Sequence, residues 1–128
     1  MKLAVVGAHL SGLPLNKQLV ERNAKLLLTT RTKPVYQFFA LPNTTPPKPG
    51  LIKVTHPLPT GIEVEVWDLA PEHFATFVEL VPPPMCIGTL DLESGEQVKG
   101  FLVEPYATQG AKDITSFGGW RAYLKSLG

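Results

Sequence analysis

The stretch Val5–Asn16, with the sequence VVGAHLSGLPLN, decides the fold and contains the candidate site. It continues an uninterrupted apolar run, Leu3–Val6, which is typical of a buried strand and breaks at the first glycine. The loop that follows carries His9 and Ser11 between two glycines and ends where Asn16 can start a helix. Glycine lets backbone N–H groups approach a ligand, and the rigid strand fixes their direction. We therefore expect this loop to form one wall of a ligand pocket.

The composition limits the class of protein. The 128 residues, 44% hydrophobic and 18% charged, indicate a single globular domain over residues 1–128. The net charge of +1 is mixed along the chain, so we expect no nucleic acid and no membrane as partner, because both need a concentrated basic patch. Cys86 is the only cysteine, which excludes a disulfide framework. No targeting signal and no run of about 20 apolar residues is present, so we expect a cytoplasmic protein.

The pattern of apolar residues predicts an α+β fold. Seven segments rich in β-branched and aromatic residues are predicted strands: Lys2–Val6, Lys25–Thr30, Tyr36–Leu41, Leu51–Thr55, Ile62–Trp67, Gly88–Leu92 and Gln97–Glu104. Three segments are predicted helices: Leu15–Arg22, Pro71–Leu80 and Asp113–Ser126. Ser94-Gly95 predicts a hairpin between the last two strands. These elements favour a mostly antiparallel, strongly curved sheet or small barrel covered by helices.

His9 is the strongest candidate for chemistry, because an imidazole donates or accepts a proton near neutral pH. Two other interpretations stay open: a buried histidine bonded to a backbone carbonyl, and an exposed loop residue. Ser11 lies two residues further on, a spacing that does not establish a serine–histidine pair, and its favoured role is in capping or in a turn.

Glu63 and Glu65 alternate with apolar residues, which places both carboxylates on one face of a strand that Trp67 continues. Two like charges about 7 Å apart can raise one pKa and produce a general acid or base. The alternative is an ordinary solvent-facing side of a sheet, although the tryptophan indicates partial burial.

The sequence lacks the usual motifs of metal sites, nucleotide-binding sites and serine hydrolases. His56 and His73 are predicted to lie on the surface, and no histidine or cysteine spacing typical of a metal site occurs. The chain also lacks GxGxxG, a P-loop and GxSxG. We therefore expect neither a metal nor a cofactor.

The whole chain resembles the C-terminal domain of allophanate hydrolases. The matching segments, in family order, are Val6–Asn16, Tyr36 with Ala40–Pro42, Pro47–Leu51, Ile62–Trp67, Ile87–Thr89, Val98–Phe101 and Asp113–Leu124. The resemblance implies a gamma-glutamylcyclotransferase-like fold, a small twisted barrel with a few helices. In that fold the loop after the first strand contributes backbone amides to an anion-binding cavity.

The resemblance also implies a role in urea breakdown, in which the domain decarboxylates an N-carboxylated product and His9 is the histidine of the loop. We expect a small polar carboxylate or urea-like ligand, such as N-carboxyurea, with His9 giving a proton to its nitrogen. Glu65 would be the second catalytic residue, tuning the proton on His9 or binding an amide N–H. The predicted ligand-binding residues are Gly7, Ala8, Leu10, Ser11, Gly12 and Glu63.

Two departures from the wider fold family limit the activity. The chain has no amidase domain, so we expect no amide cleavage. Val78 stands where the cyclotransferases carry a catalytic glutamate, and Glu79 lies about 100° around the helix, so we expect no cyclotransferase activity. The alternative function is an assembly module, a homodimer or a partner of a separate amidase, with Phe117, Trp120 and Tyr123 as interface anchors.

Overall fold

The computed structural model describes residues 1–128 and has the predicted α+β composition. The strands are β1 (Lys2–Val5), β2 (Lys25–Arg31), β3 (Tyr36–Ala40), β4 (Pro49–Lys53), β5 (Glu63–Asp68), β6 (Met85–Asp91), β7 (Gln97–Val103) and β8 (Lys112–Asp113). The α-helices are α1 (Lys17–Val20), α2 (Pro71–Glu79) and α3 (Trp120–Ser126). Two short 3₁₀-helices span Pro105–Thr108 and Thr115–Phe117. None of the helices is long and apolar enough to cross a membrane.

The strands form two sheets, ordered β2-β5-β1-β7-β6 and β4-β3-β8. Every ladder is antiparallel except the one between β1 and β7. The prediction of a barrel is wrong, because these sheets are not closed. The edges of the larger sheet meet only at one isolated bridge, between Thr32 and Leu92. Pro34 follows this bridge closely and has no N–H with which to extend a ladder.

The central strand of the larger sheet is β1, in which Leu3, Ala4 and Val5 have no solvent exposure. A strand covered on both faces reads as a continuous apolar run, which is why the sequence pattern identified it. The loop that follows leaves the sheet between β5 and β7. Glu65 of β5 and Phe101 of β7 therefore contact it.

The hairpin prediction is confirmed, since β6 and β7 pair from Met85–Val103 to Asp91–Gln97 and Gly95 turns with a φ of 95°. The helix predicted over Pro71–Leu80 is confirmed as α2, and it buries Phe77 against the core.

The C-terminal helix starts later than predicted, at Trp120 instead of Asp113. Asp113 lies in β8, where its Oδ1 accepts hydrogen bonds from the Thr115 N–H and hydroxyl at 2.9 and 2.6 Å. Gly118 then adopts a left-handed φ of 74°, which interrupts any helix at this position. The side chain of Asp113 therefore stabilises a turn before the helix and does not cap the helix itself.

Candidate functional site

A cavity of about 150 Å³ opens beside the loop that follows β1. Its walls come from both sheets, from α1 and from the segments that flank β4 and α2. The lining residues are Val6, Gly7, Ala8, His9, Leu15, Gln18, Thr45, Pro46, Lys48, Pro49, Leu80, Val81, Pro82, Met85 and Phe101. The wall is mainly apolar, and its principal polar side chains are an imidazole, an amide and an ammonium, from His9, Gln18 and Lys48.

The part of the loop that lines this cavity carries unbonded backbone donors. The N–H groups of Gly7, Ala8 and His9 make no hydrogen bond within the protein. Their carbonyls are engaged: the oxygens of Gly7 and Ala8 accept from the N–H groups of Leu10 and Leu15, at 3.0 and 2.9 Å. Buried backbone N–H groups nearly always have an acceptor, so three such donors on one cavity wall are suited to hold an oxyanion.

His9 lies in this cavity, as the sequence predicts, and aromatic rings pack around it. Phe101 stacks on the imidazole with ring centroids 5.0 Å apart and an interplanar angle of 18°. Phe77 contacts it at 5.1 Å and 62°. The Asn16 side chain donates to the carbonyl of His9 at 2.9 Å, which ties the histidine backbone to the start of α1.

Burial lowers the pKa of His9, and the Lys48 ammonium lowers it further, while the hydrogen bond to Gln18 acts in the opposite direction. The separation between His9 Nε2 and Gln18 Oε1 is 2.7 Å. The resting imidazole is therefore neutral at pH 7, and its conjugate acid is a stronger proton donor than that of an exposed histidine.

Glu65 does not line the cavity, although it shares a buried strand face with Trp67 as predicted. Its carboxylate accepts hydrogen bonds from the N–H and hydroxyl of Ser11 at 2.8 and 3.0 Å. It also accepts from the indole of Trp67 at 3.2 Å and from Arg121 at 3.1 Å, and it makes none with His9. Glu65 therefore anchors the loop two residues from the histidine.

The remaining predicted ligand-binding residues lie away from the cavity. Leu10 is fully buried, and its N–H is used by the carbonyl of Gly7. The N–H and hydroxyl of Ser11 are used by Glu65, so the structure forms no serine–histidine pair. Gly12 is exposed on the far side of the loop, and Glu63 lines a separate small depression beside α3.

Among the other sequence candidates, His56 is exposed and His73 is half-buried. No group of three or more histidine, cysteine, aspartate or glutamate residues lies close enough to hold a metal ion.

Sequence reasoning missed the three side chains that complete the cavity, Gln18, Lys48 and Phe101. Gln18 lies in α1, directly after the loop and nine residues after His9, and this short separation is the one local signal that could have found it. Phe101 reaches the site because β7 pairs with β1. Lys48 reaches it because Pro49, the next residue along the chain, packs against Gly7.

Comparison with known proteins gives consistent matches. Residues 1–125 match the family described as the allophanate hydrolase C-terminal domain. The chain is 49% identical over 130 residues to the urea amidolyase of Saccharomyces cerevisiae, an alignment that covers 99% of this chain and 7% of that protein.

Solved structures give the same fold. Kluyveromyces lactis allophanate hydrolase superposes with a TM-score of 0.95 at 44% identity, covering 99% of this chain and 21% of that one. A uropathogenic E. coli-specific protein superposes with a TM-score of 0.88 at 31% identity, covering 97% of this chain and 94% of that one. The chain thus spans 7% of the length of the curated relatives it matches.

Proposed function

The chain belongs to the family of allophanate hydrolase C-terminal domains, and we propose that its cavity binds small N-carboxylates of urea and allophanate breakdown and removes carbon dioxide from them. The observation that supports this proposal most is the set of unbonded N–H groups of Gly7, Ala8 and His9 beside a neutral imidazole. Lys48 adds a positive charge to the same wall. A carboxylate is the ligand that satisfies all of these groups together.

Two related molecules are candidate substrates. N-carboxyurea, H₂N–CO–NH–COO⁻, is allophanate itself. Hydrolysis of its terminal amide leaves a nitrogen that bears two carboxylates. Both molecules are small and end in a carboxylate attached to nitrogen, which suits a cavity of about 150 Å³.

The decarboxylation requires one proton, delivered to the nitrogen that bears the carboxylate. The carboxylate accepts hydrogen bonds from the loop N–H groups and from Lys48, and its negative charge raises the pKa of the neighbouring imidazole. The imidazolium of His9 then gives its proton to the nitrogen that bears the carboxylate. The carbon–nitrogen bond breaks, its electron pair stays on nitrogen, and carbon dioxide leaves. His9 is left neutral and takes its next proton from water.

The test measures carbon dioxide release from freshly prepared N-carboxyurea and from its amide-hydrolysis product. We expect His9→Ala to lower the rate by about 10²–10⁴-fold, the usual contribution of a positioned general acid. His56→Ala is the matched control, because His56 is exposed and lies outside the cavity. Equal rates in wild type and His9→Ala would remove the catalytic role.

The second candidate function is assembly, and an exposed apolar strip on β2 favours it. Leu26, Leu27 and Leu28 are 42–46% exposed on this edge strand, which also presents unpaired backbone groups. We propose a second copy of the chain as the occupant. Of the three predicted aromatic anchors, Trp120 and Tyr123 are buried in the core, which leaves Phe117 exposed.

Light scattering tests assembly directly. A dimer that Leu27→Glu converts to a monomer would support the role of β2. A monomer at every concentration, which also binds no added amidase, would contradict it.

A further inference from the structure

The imidazole of His9 has two nitrogens, and the protein engages only one of them. A ring nitrogen gives or takes its proton in the plane of the ring. Phe101 stacks on a face of the imidazole and therefore does not occupy that plane. Nε2 lies 2.7 Å from Oε1 of Gln18. An amide oxygen has no proton to give, so in this arrangement Nε2 carries the hydrogen and donates it.

The other ring nitrogen, Nδ1, makes no hydrogen bond with any protein group. It is nevertheless not sealed inside the protein, because every fully buried side-chain nitrogen or oxygen has a hydrogen-bond partner. Since His9 lines the cavity, Nδ1 is the ring nitrogen that a bound molecule can reach.

We infer that Gln18 is a positioning residue that fixes the Nε2–H tautomer of His9 and so makes Nδ1 the atom that exchanges the catalytic proton. The inference deepens the proposed decarboxylation and rests on it. In the imidazolium, Nε2–H stays with Gln18 while Nδ1–H passes to the substrate nitrogen, the carbon–nitrogen bond breaks and carbon dioxide leaves. The neutral imidazole that remains is the same tautomer as at the start, so a proton from water on Nδ1 resets it.

The surroundings of His9 determine how strongly a charge introduced at position 18 acts on the imidazole. The elements packed against the imidazole contribute Phe77 from α2, Phe101 from β7 and the uncharged Gln18 from α1. Lys48 is the charged group that acts on it. A carboxylate in place of the Gln18 amide would therefore be the one negative charge in contact with the ring.

Two variants separate positioning from packing. Gln18→Met keeps the volume and removes the hydrogen bond, and we expect kcat to fall about tenfold with little change in KM. Gln18→Glu keeps an acceptor for Nε2–H, so it should retain the tautomer and raise the pKa of His9 by about one pH unit or more. Gln109→Glu, on an exposed turn, is the charge-matched control.

The measurement is ¹⁵N NMR of the histidine rings as a function of pH, with the exposed His56 as a second histidine signal in the same spectra. We expect wild type to show the Nε2–H tautomer of His9 and Gln18→Met to show a mixture of the two tautomers. Gln18→Glu should move the pKa of His9 and the pH profile of kcat upward together. The inference is overturned if wild type shows the Nδ1–H tautomer or a free mixture, or if Gln18→Glu leaves the pKa unchanged.

The NMR readouts of tautomer and pKa do not depend on turnover. A fixed tautomer in a wild-type protein that releases no carbon dioxide would remove the proposed function and the catalytic part of this inference, while the positioning contact would stand. Catalysis by a protein whose His9 tautomer does not respond to Gln18 would remove only the inference.

Discussion

The two ends of the loop after β1 differ in whether their backbone donors have hydrogen-bond partners in the protein. At the cavity end, the N–H groups of Gly7, Ala8 and His9 have no partner in the protein. At the far end, the N–H and hydroxyl of Ser11 donate to Glu65, and its carbonyl accepts from Arg121 at 2.7 Å. Unbonded buried donors destabilise a fold, so the anchored end must hold the other in place. The contrast separates residues that keep the loop in position from residues that are free to bind.

The largest expected effect breaks the anchored end. Glu65→Leu leaves the N–H groups of Ser11 and Trp67 without an acceptor, and we expect the free energy of unfolding to fall by about 3 kcal/mol. Glu63→Leu, on the same strand but half-buried, is the control and should change it by less than about 1 kcal/mol. Urea denaturation measures both. Similar losses in the two variants would show that Glu65 is not an anchor.

A smaller effect distinguishes the two glycines of the loop. A Cβ on Gly7 would overlap the ring of Pro49, which also lines the cavity, so Gly7→Ala should cost about 1–3 kcal/mol and distort the site. A Cβ on Gly12 meets no atom within 4 Å, but its φ of 79° is unfavourable for alanine by about 1 kcal/mol.

Unfolding and binding measured together check this difference. We expect Gly7→Ala to lose both stability and affinity for malonate, the methylene analogue of a nitrogen that carries two carboxylates. Gly12→Ala should lose stability alone. Retention of malonate binding by Gly7→Ala would argue against the cavity as the binding site.

The next effect concerns the positive charge of Lys48 on the cavity wall. Lys48→Met should weaken malonate binding about tenfold, the value of roughly one charge-assisted hydrogen bond, and should raise the pKa of His9 because a neighbouring cation is removed. Calorimetry and NMR titration measure the two quantities. Lys125→Met, exposed on α3, serves as control, and equal affinities in the two variants would refute the role of Lys48.

The smallest effect concerns the pH dependence of stability. The pKa of His9 is lowered in the folded state from its ordinary value of 6.5, so the unfolded chain binds more protons between the folded pKa and 6.5. His9 therefore contributes stability that is complete above pH 6.5 and is lost as the pH falls through its folded pKa. His9→Phe keeps an aromatic ring in the stack and removes the titration.

Unfolding free energies from pH 5 to 7 test this linkage. Over this range wild type should lose more stability on acidification than His9→Phe, by an amount on the order of 1 kcal/mol. Parallel profiles would mean that the pKa of His9 is not depressed.

The sequence predicted the parts of this contrast that depend on local pattern. The apolar run of β1, the glycine that ends it, and the shared face of Glu65 and Trp67 in β5 each follow from a short stretch of sequence, and each was placed correctly. Lys48 and Arg121 were not predictable, because they meet the loop only through the packing of elements distant in sequence. Gln18 lies nine residues after His9, so its position along the chain is the one local hint of a contact. The barrel prediction failed for the same reason, since closure of a sheet depends on tertiary contacts. The predicted start of α3 at Asp113 failed for a local reason, because Asp113 bonds to Thr115 and Gly118 adopts a left-handed φ.

The central claim is that a carboxylate binds on the unbonded N–H groups at the cavity end of the loop. Malonamate, the methylene analogue of N-carboxyurea, and malonate can be titrated into ¹⁵N-labelled protein while the amide resonances are followed. The account predicts the largest shifts at Gly7, Ala8 and His9, with the anchored Ser11 amide changing little. Shifts confined to the open groove near Gln37 and Ser116, or none at millimolar ligand, would contradict it.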